Sequence, residues 1–304
     1  MNQLDFGTNR FLNAHADYEV LKKQKKSIHK TYVLPFNNLT IYKNLKNRGV
    51  IILEDDEVHQ LRFVVEDVHG NASTLTTQII RSDEKRKEDL IKAQHDIEKE
   101  FKYDRVNALR SEACNVFMPP GRIYEDALCW ADKKDSLKGY YSFSYEIGDY
   151  YVPIHEPFLI SLKISEVPDS LKSKLLVVRK GPGSREYAQG GRFKLGWVET
   201  RVKSFGTYYV ALDDVAPVIQ KIDLSSNMKG KSNIKVKATD NLSGIQEYRA
   251  TINNQWILME YDANRALFTY SFDSSKLAHG KHDFRFEVID ERGNQASLEQ
   301  QFEW

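Results

Sequence analysis

Cysteine is scarce: Cys114 and Cys129 are the two in a chain of 304 residues. This excludes a cysteine-rich disulfide framework, and the absence of Cys-x-x-Cys removes the commonest chelating spacing. The two thiols allow one disulfide and require none, because both sit in apolar, strand-like runs that bury free thiols equally well. No apolar run approaches the roughly eighteen residues of a membrane span, so no transmembrane helix is expected. The opening MNQLDFGTNRF has no basic segment followed by an apolar one, so no signal peptide is visible. The protein is then either cytoplasmic or the downstream part of a longer chain. Neither sign of charge dominates: 44 Lys+Arg against 43 Asp+Glu. A nucleic-acid partner has no support from that balance. Among the eight histidines no two are spaced as His-x-His.

What is present is a repeat. LRFVVEDVHGNASTLTTQI, Leu61 to Ile79, returns as FRFEVIDERGNQASLEQQF, Phe284 to Phe302. Arg62, Phe63, Val65, Asp67, Gly70, Asn71, Leu75 and Gln78 match Arg285, Phe286, Val288, Asp290, Gly293, Asn294, Leu298 and Gln301. Phe284, Phe286 and Val288 alternate with Arg285 and Glu287, the period of a half-buried strand. Asp-x-x-Gly-Asn supplies the turn, since Gly and Asn tolerate positive φ and Asp bonds its own downstream backbone. A second strand follows each turn. In both copies Phe63 and Phe286 are expected to point into separate cores, with Asp67 and Asp290 at equivalent turn positions.

Strand and turn signals fill most of the remainder. Asp17 opens a candidate short helix over Ala16 to Lys23, and the following Lys22, Lys23, Lys25 and Lys26 read as its solvated end. TYVLPFNNLTIYKN reads as strand, turn, strand, and Gly49 to Leu53 as a further strand. The charged stretch after Arg81 carries Leu90, Ile97 and Phe101 on one helical stripe. Asn253-Asn254 marks a tight turn between two strands. The expected fold is all-β. Two tandem immunoglobulin-like β-sandwiches, 1–82 and 213–304, flank a distinct middle β-sandwich, 103–212, with a short helical linker at 83–102. The first module reaches its closing hairpin with fewer strands than the last, so it reads as N-terminally incomplete.

The order of several motifs resembles a family. RFLNAHADYE, KTYVLPFNNLTIYKN and FVVEDVHGNASTL look like a region downstream of the catalytic domain in lysostaphin-type zinc metallopeptidases of Bacteroidetes-like bacteria. MPPGRIYEDALCW, IGDYYVPIHEPFLISLKI and SFGTYYVALDDVAPVI are similar to the middle of that region. ATDNLSGIQEYRATINNQWILMEYDAN with HGKHDFRFEVIDERGN resembles its last immunoglobulin-like module. The family's zinc site uses His-x-x-x-Asp and a later His-x-His, and the latter is absent here, so no catalytic residue is carried over. The resemblance implies a non-catalytic accessory region of a peptidoglycan-directed peptidase in the cell envelope, periplasmic or at the surface. Its partners would be an upstream peptidase domain and either peptidoglycan or an envelope protein. Zinc would belong to that upstream domain, with no cofactor in this chain. The alternative is a stand-alone carbohydrate- or protein-binding surface module. An enzyme whose site is assembled from all three segments is a third class.

Each candidate site has a plain structural counterpart. His279-Gly-Lys-His282, beside Asp283, flanks a hairpin turn and lacks an identifiable further ligand set for zinc. Cys114 and Cys129 could join His155 around a metal or simply lie in the core. GPGSREYAQGG lies between strands rather than opening a helix, so it reads as a hairpin loop and not a phosphate cradle. Asp213-Asp214 at a module junction and Asp240-Asn241 in a turn offer oxygens to calcium, or bond local backbone as turn carboxylates usually do. Trp130, Tyr140, Tyr141, Tyr150 and Tyr151, with Tyr145, could stack on sugar faces, although alternating strands need the same rings for packing.

Overall fold

The structure is a computed structural model. It describes residues 11–304 except 13, 40–41, 83–94, 135, 137–138 and 182–184. The chain divides into two compact units, Met1–Gln94 and His95–Trp304.

In the first unit, helix α1 spans Tyr18–Gln24. Asp17 caps it by accepting the Val20 amide at 3.0 Å, and Lys25 in the left-handed region closes it. Strands β1 (His59–Glu66) and β2 (Ala72–Ile79) form an antiparallel ribbon pairing Phe63 with Leu75. The Asp67 turn has the bonds its sequence demands: Asp67 accepts from the amides of His69 and Asn71 and from Asn71 Nδ2. The expected sandwich over 1–82 is not assembled among the described residues, where this two-stranded ribbon has no facing sheet. Phe63 is therefore 39% exposed rather than in a core. The strands expected around TYVLPFNNLTIYKN and Gly49 to Leu53 are irregular where described. Val50, Ile51 and Ile52 lie exposed, with no partner strand among the described residues to reward extension.

The second unit holds two sandwiches. The first contains β3 (Glu98–Phe101), β4 (Asn107–Arg110), β5 (Cys114–Met118), β6 (Ala127–Lys134), β7 (Ser144–Ile147) and β8 (Phe158–Lys163). It continues with β9 (Leu175–Lys180), β10 (Glu186–Ala188), β11 (Arg192–Lys194), β12 (Trp197–Val202) and β13 (Gly206–Leu212). A sheet ordered β10-β9-β13-β7-β6-β3 is matched by one ordered β11-β12-β8-β5-β4. The helical linker expected over 83–102 is corrected at its end, because Glu98–Phe101 is an edge strand paired with β6. Its charged residues face water while Phe101 is fully buried, so pairing and one anchor outweigh the helical spacing. His95 and Asp96 are pinned beside it by Asp132. The rest of that expectation, 83–94, lies outside the described residues. Within GPGSREYAQGG, expected as a loop throughout, Glu186–Ala188 is strand β10 and pairs antiparallel with β9, while residues 182–184 lie outside the described residues.

The last sandwich contains β14 (Val218–Asp223), β15 (Asn233–Thr239), β16 (Ile245–Ile252), β17 (Gln255–Ile257), β18 (Glu260–Asp262), β19 (Leu267–Ser271), β20 (Lys281–Asp290) and β21 (Gln295–Glu303). Its sheets run β14-β15-β19-β18 and β17-β16-β20-β21. The Asn253-Asn254 turn forms with both residues at positive φ, joining β16 to β17. Along β20 burial alternates as the sequence predicts: Phe284, Phe286 and Val288 point inward with Ile234, Val236, Phe268 and Phe302. Residue for residue, the β20–β21 register repeats that of β1–β2, with Phe286 opposite Leu298. The chain is thus all-β, with immunoglobulin-like sandwich architecture in this unit. No described helix is long and apolar enough to cross a membrane.

Candidate functional site

The two sandwiches of the second unit meet where β13 leaves the first. Asp213 directly follows β13, Asp240 directly follows β15, and Asp290 ends β20. Strand alternation explains the burial of Asp290: it continues the inward series Phe284, Phe286, Val288. One ligand oxygen from each of the three carboxylates lies within 4.8 Å of the other two. Asp213 is 1% exposed and Asp290 0%.

Backbone donors orient all three. Asp213 Oδ2 accepts the Ser243 amide at 2.9 Å. Asp240 Oδ2 accepts the amides of Leu242 at 2.9 Å and Gly244 at 2.8 Å. Asp290 Oδ1 accepts those of Arg292 and Asn294, and its Oδ2 accepts Asn294 Nδ2 at 2.7 Å. The remaining oxygens of Asp213 and Asp240, both Oδ1, are buried without a hydrogen-bond partner, as is Ser243 Oγ.

Around the carboxylates the sandwiches are locked by side chains. Lys174 Nζ donates to Arg292 O and Asn294 Oδ1, both at 2.7 Å. Arg292 Nη1 donates back to the carbonyls of Leu175 at 3.1 Å and Gly191 at 3.0 Å. Asn294 Nδ2 also reaches Asp213 O at 3.0 Å. Leu242 packs on an apolar patch of Leu176, Val178, Tyr209 and Ala211 in the six-stranded sheet. That contact explains why Leu175–Val178 are buried on successive residues instead of alternating: the strand is covered on both faces.

Of the acidic pairs singled out in the sequence, Asp213 and Asp240 come together, while Asp214 and Asn241 are exposed. Asp290 was legible as a turn residue, and the signal that it also faces inward was its parity with Phe286 and Val288. The set is all oxygen, which suits a hard divalent cation and not zinc.

The other candidates resolve differently. His155 Nδ1 bonds the hydroxyl of Tyr124 at 2.9 Å, and the grouping with Cys114 and Cys129 is not found among the described residues. Both cysteines are buried and free. Burial pushes the Cys114 thiol up to about 12, and Cys129 is raised for the same reason, with the Cys114 charge adding to it. Thiolate is then scarce at ordinary pH, so Ellman's reagent should label neither cysteine in the native protein and both in guanidinium. Fast native labelling would contradict this packing. His282 uses both ring nitrogens, on Asn253 Nδ2 and Ala278 O, while His279 packs against Trp304. His279 and Asp283 stand at His-x-x-x-Asp spacing, but the second ligand pair is missing from the sequence.

The aromatic group does not form one platform. Trp130 stacks on His95, Tyr140 stacks on Tyr209 at 3.6 Å, and Tyr145 is buried. Tyr141 is half-buried, its amide bonded to Val210 O. Tyr150 and Tyr151 remain exposed, meeting edge-on at 6.0 Å. Arg179 lies over Tyr150 and over the exposed Tyr187.

Comparison with known proteins divides the chain at the same junction. No curated protein matches it. Among solved structures, it is similar to fibronectin(III)-like modules of Clostridium thermocellum CbhA at 12% identity and TM-score 0.24, over 49% of this chain and 85% of that one. It is also similar to the N-terminal domain of the Streptococcus gordonii adhesin Sgo0707 at 8% identity and TM-score 0.17, over 82% of this chain and 91% of that one. Residues 98–213 match the Zu5-like domain, and residues 211–303 match a domain of unknown function, DUF7743.

Proposed function

We propose that this chain is the non-catalytic accessory region of a cell-envelope, peptidoglycan-directed zinc metallopeptidase. It spaces or caps a catalytic domain encoded upstream and holds it to the wall or to an envelope partner. The observation that carries the positioning role is the junction lock. Lys174, Arg292, Asn294 and Leu242 join two sandwiches that a bare linker would leave free to swing. A spacer transmits orientation only if its modules keep a fixed angle. The motif order that resembles the accessory region of such peptidases supplies the envelope context.

A second reading is a carbohydrate- or protein-binding surface module without a peptidase in its gene. The exposed Tyr150, Tyr151 and Tyr187 around Arg179 favour it, since open rings with polar tips suit both ligand classes. The reading frame upstream of the Met1 codon separates the two. A metallopeptidase domain in frame supports the first, and an intact gene without one favours the second. For the purified chain we expect no stoichiometric zinc and no cleavage of peptidoglycan peptides. Metal analysis returning about one zinc per chain, lost with His155→Ala together with peptide cleavage, would overturn the accessory role.

A further inference from the structure

The junction carboxylates are held in place by amide donors rather than by cations. Asp213 and Asp290 are out of water, and among the described residues no lysine, arginine or histidine forms an ion pair with either, or with Asp240. The two cations of the junction spend the donors described above on other acceptors, Lys174 on Arg292 O and Asn294, Arg292 on Leu175 O and Gly191 O. Burying a carboxylate without a countercharge is costly, and three together compound the cost through mutual repulsion. Ser243 adds an independent signal. It is 8% exposed, its amide reaches Asp213, and its hydroxyl has no partner although it is shielded from solvent.

The internal repeat serves as a control on the turn. Asp67 makes the same three bonds in its Asp-x-x-Gly-Asn turn as Asp290 does, yet it is exposed and belongs to no carboxylate group among the described residues. The turn therefore forms without acidic companions. At the junction the chain adds two carboxylates, from Asp213 in the inter-sandwich connection and Asp240 at the end of β15.

We propose that Asp213, Asp240 and Asp290 bind one calcium ion at the junction, with Ser243 Oγ and solvent completing the shell. Calcium takes six to eight oxygens at about 2.3–2.6 Å, so opposite ligands stand up to about 5 Å apart, and the 4.8 Å grouping falls inside that span. Magnesium demands a tighter octahedron and keeps most of its water, which carboxylates fixed on three separate segments serve less well. The ion ties the connection between sandwiches to two turns of the last one. Removing it would loosen the angle that the side-chain lock sets.

The test uses the full chain, stripped with chelator and titrated calorimetrically with calcium, magnesium and zinc. Calcium should bind at about one per chain with Kd at or below about 1 mM, the range of extracellular modules. At 10 mM calcium the melting midpoint of the second unit should rise by about 3 °C or more, and magnesium should give less. Asp213→Asn and Asp240→Asn keep an oxygen for the backbone donors and should each weaken calcium binding at least about tenfold. Asp67→Asn should leave it unchanged. No heat and no midpoint shift in the unaltered chain at 10 mM calcium would overturn the proposal, whether or not the variants fold. Equal affinity for magnesium, undiminished binding by both variants, or equal weakening by Asp67→Asn would overturn it too. Because the site stands on its own geometry, its failure would leave the peptidase reading untouched, which the upstream reading frame decides separately.

Discussion

Phe286→Ala should destabilise the last sandwich by about 3–5 kcal/mol, whereas Phe63→Ala, at the matching position of the repeat, should cost the first unit less than about 1 kcal/mol. The two phenylalanines share neighbours in sequence and register. What differs is the surface they face. Phe286 is fully buried, with ring centroids 5.1 Å from Phe268 and 6.2 Å from Tyr248. Truncation there removes a large apolar side chain and leaves a cavity between two sheets that collapses only in part. Phe63 lies on a ribbon that is open to solvent, where alanine exposes little that was hidden. Denaturant melts of the full chain, with each unit's transition followed separately, measure both. In thermal melts, for a sandwich of this size, the Phe286→Ala midpoint should fall by about 15 °C or more. Similar losses at the two positions would mean that Phe63 also has a core in solution.

The same pair shows how far the amino-acid sequence carries. Local instructions were legible: alternation in β20, the Asp-x-x-Gly-Asn turns, the Asn253-Asn254 turn and the Asp17 cap all form as read. These depend on backbone chemistry within a few residues. Whether a strand acquires a second layer depends on distant segments, and the repeat is silent on that. Its two copies fold alike and are buried differently. Glu98–Phe101 illustrates the converse, since its charge and spacing suit a helix while the open edge of β6 makes it a strand. The carboxylate cluster was half legible. Asp213 stood out at a junction and Asp240 in a turn, but their meeting with each other and with Asp290 depends on how the last sandwich docks through Leu242 and Arg292. No spacing encodes that docking.

Gly148→Ala should cost the first sandwich of the second unit about 2–5 kcal/mol, far more than Gly196→Ala in the same sandwich. Gly148 follows β7 at φ +56, and its amide donates to Trp130 O at 3.0 Å. A Cβ at this position would lie 2.6 Å from Cγ of Phe205, with two further ring carbons within 2.9 Å. Phe205 cannot retreat easily, because it is fully buried and packs on Phe158 at 5.2 Å. The substitution therefore combines left-handed backbone strain of about 1 kcal/mol with overpacking of about 1–3 kcal/mol or more. Gly196, in the β11–β12 turn, sits at φ +87 with open space for 4 Å around the point where a Cβ would stand, so alanine there meets the backbone strain alone. Subtracting one loss from the other isolates the steric part. The double variant Gly148→Ala with Phe205→Leu should lose less stability than the sum of the separate losses, because the smaller side chain relieves the contact that alanine creates. Equal costs for the two glycine variants would show that the Phe205 ring moves aside, and that the turn after β7 is not wedged against the core.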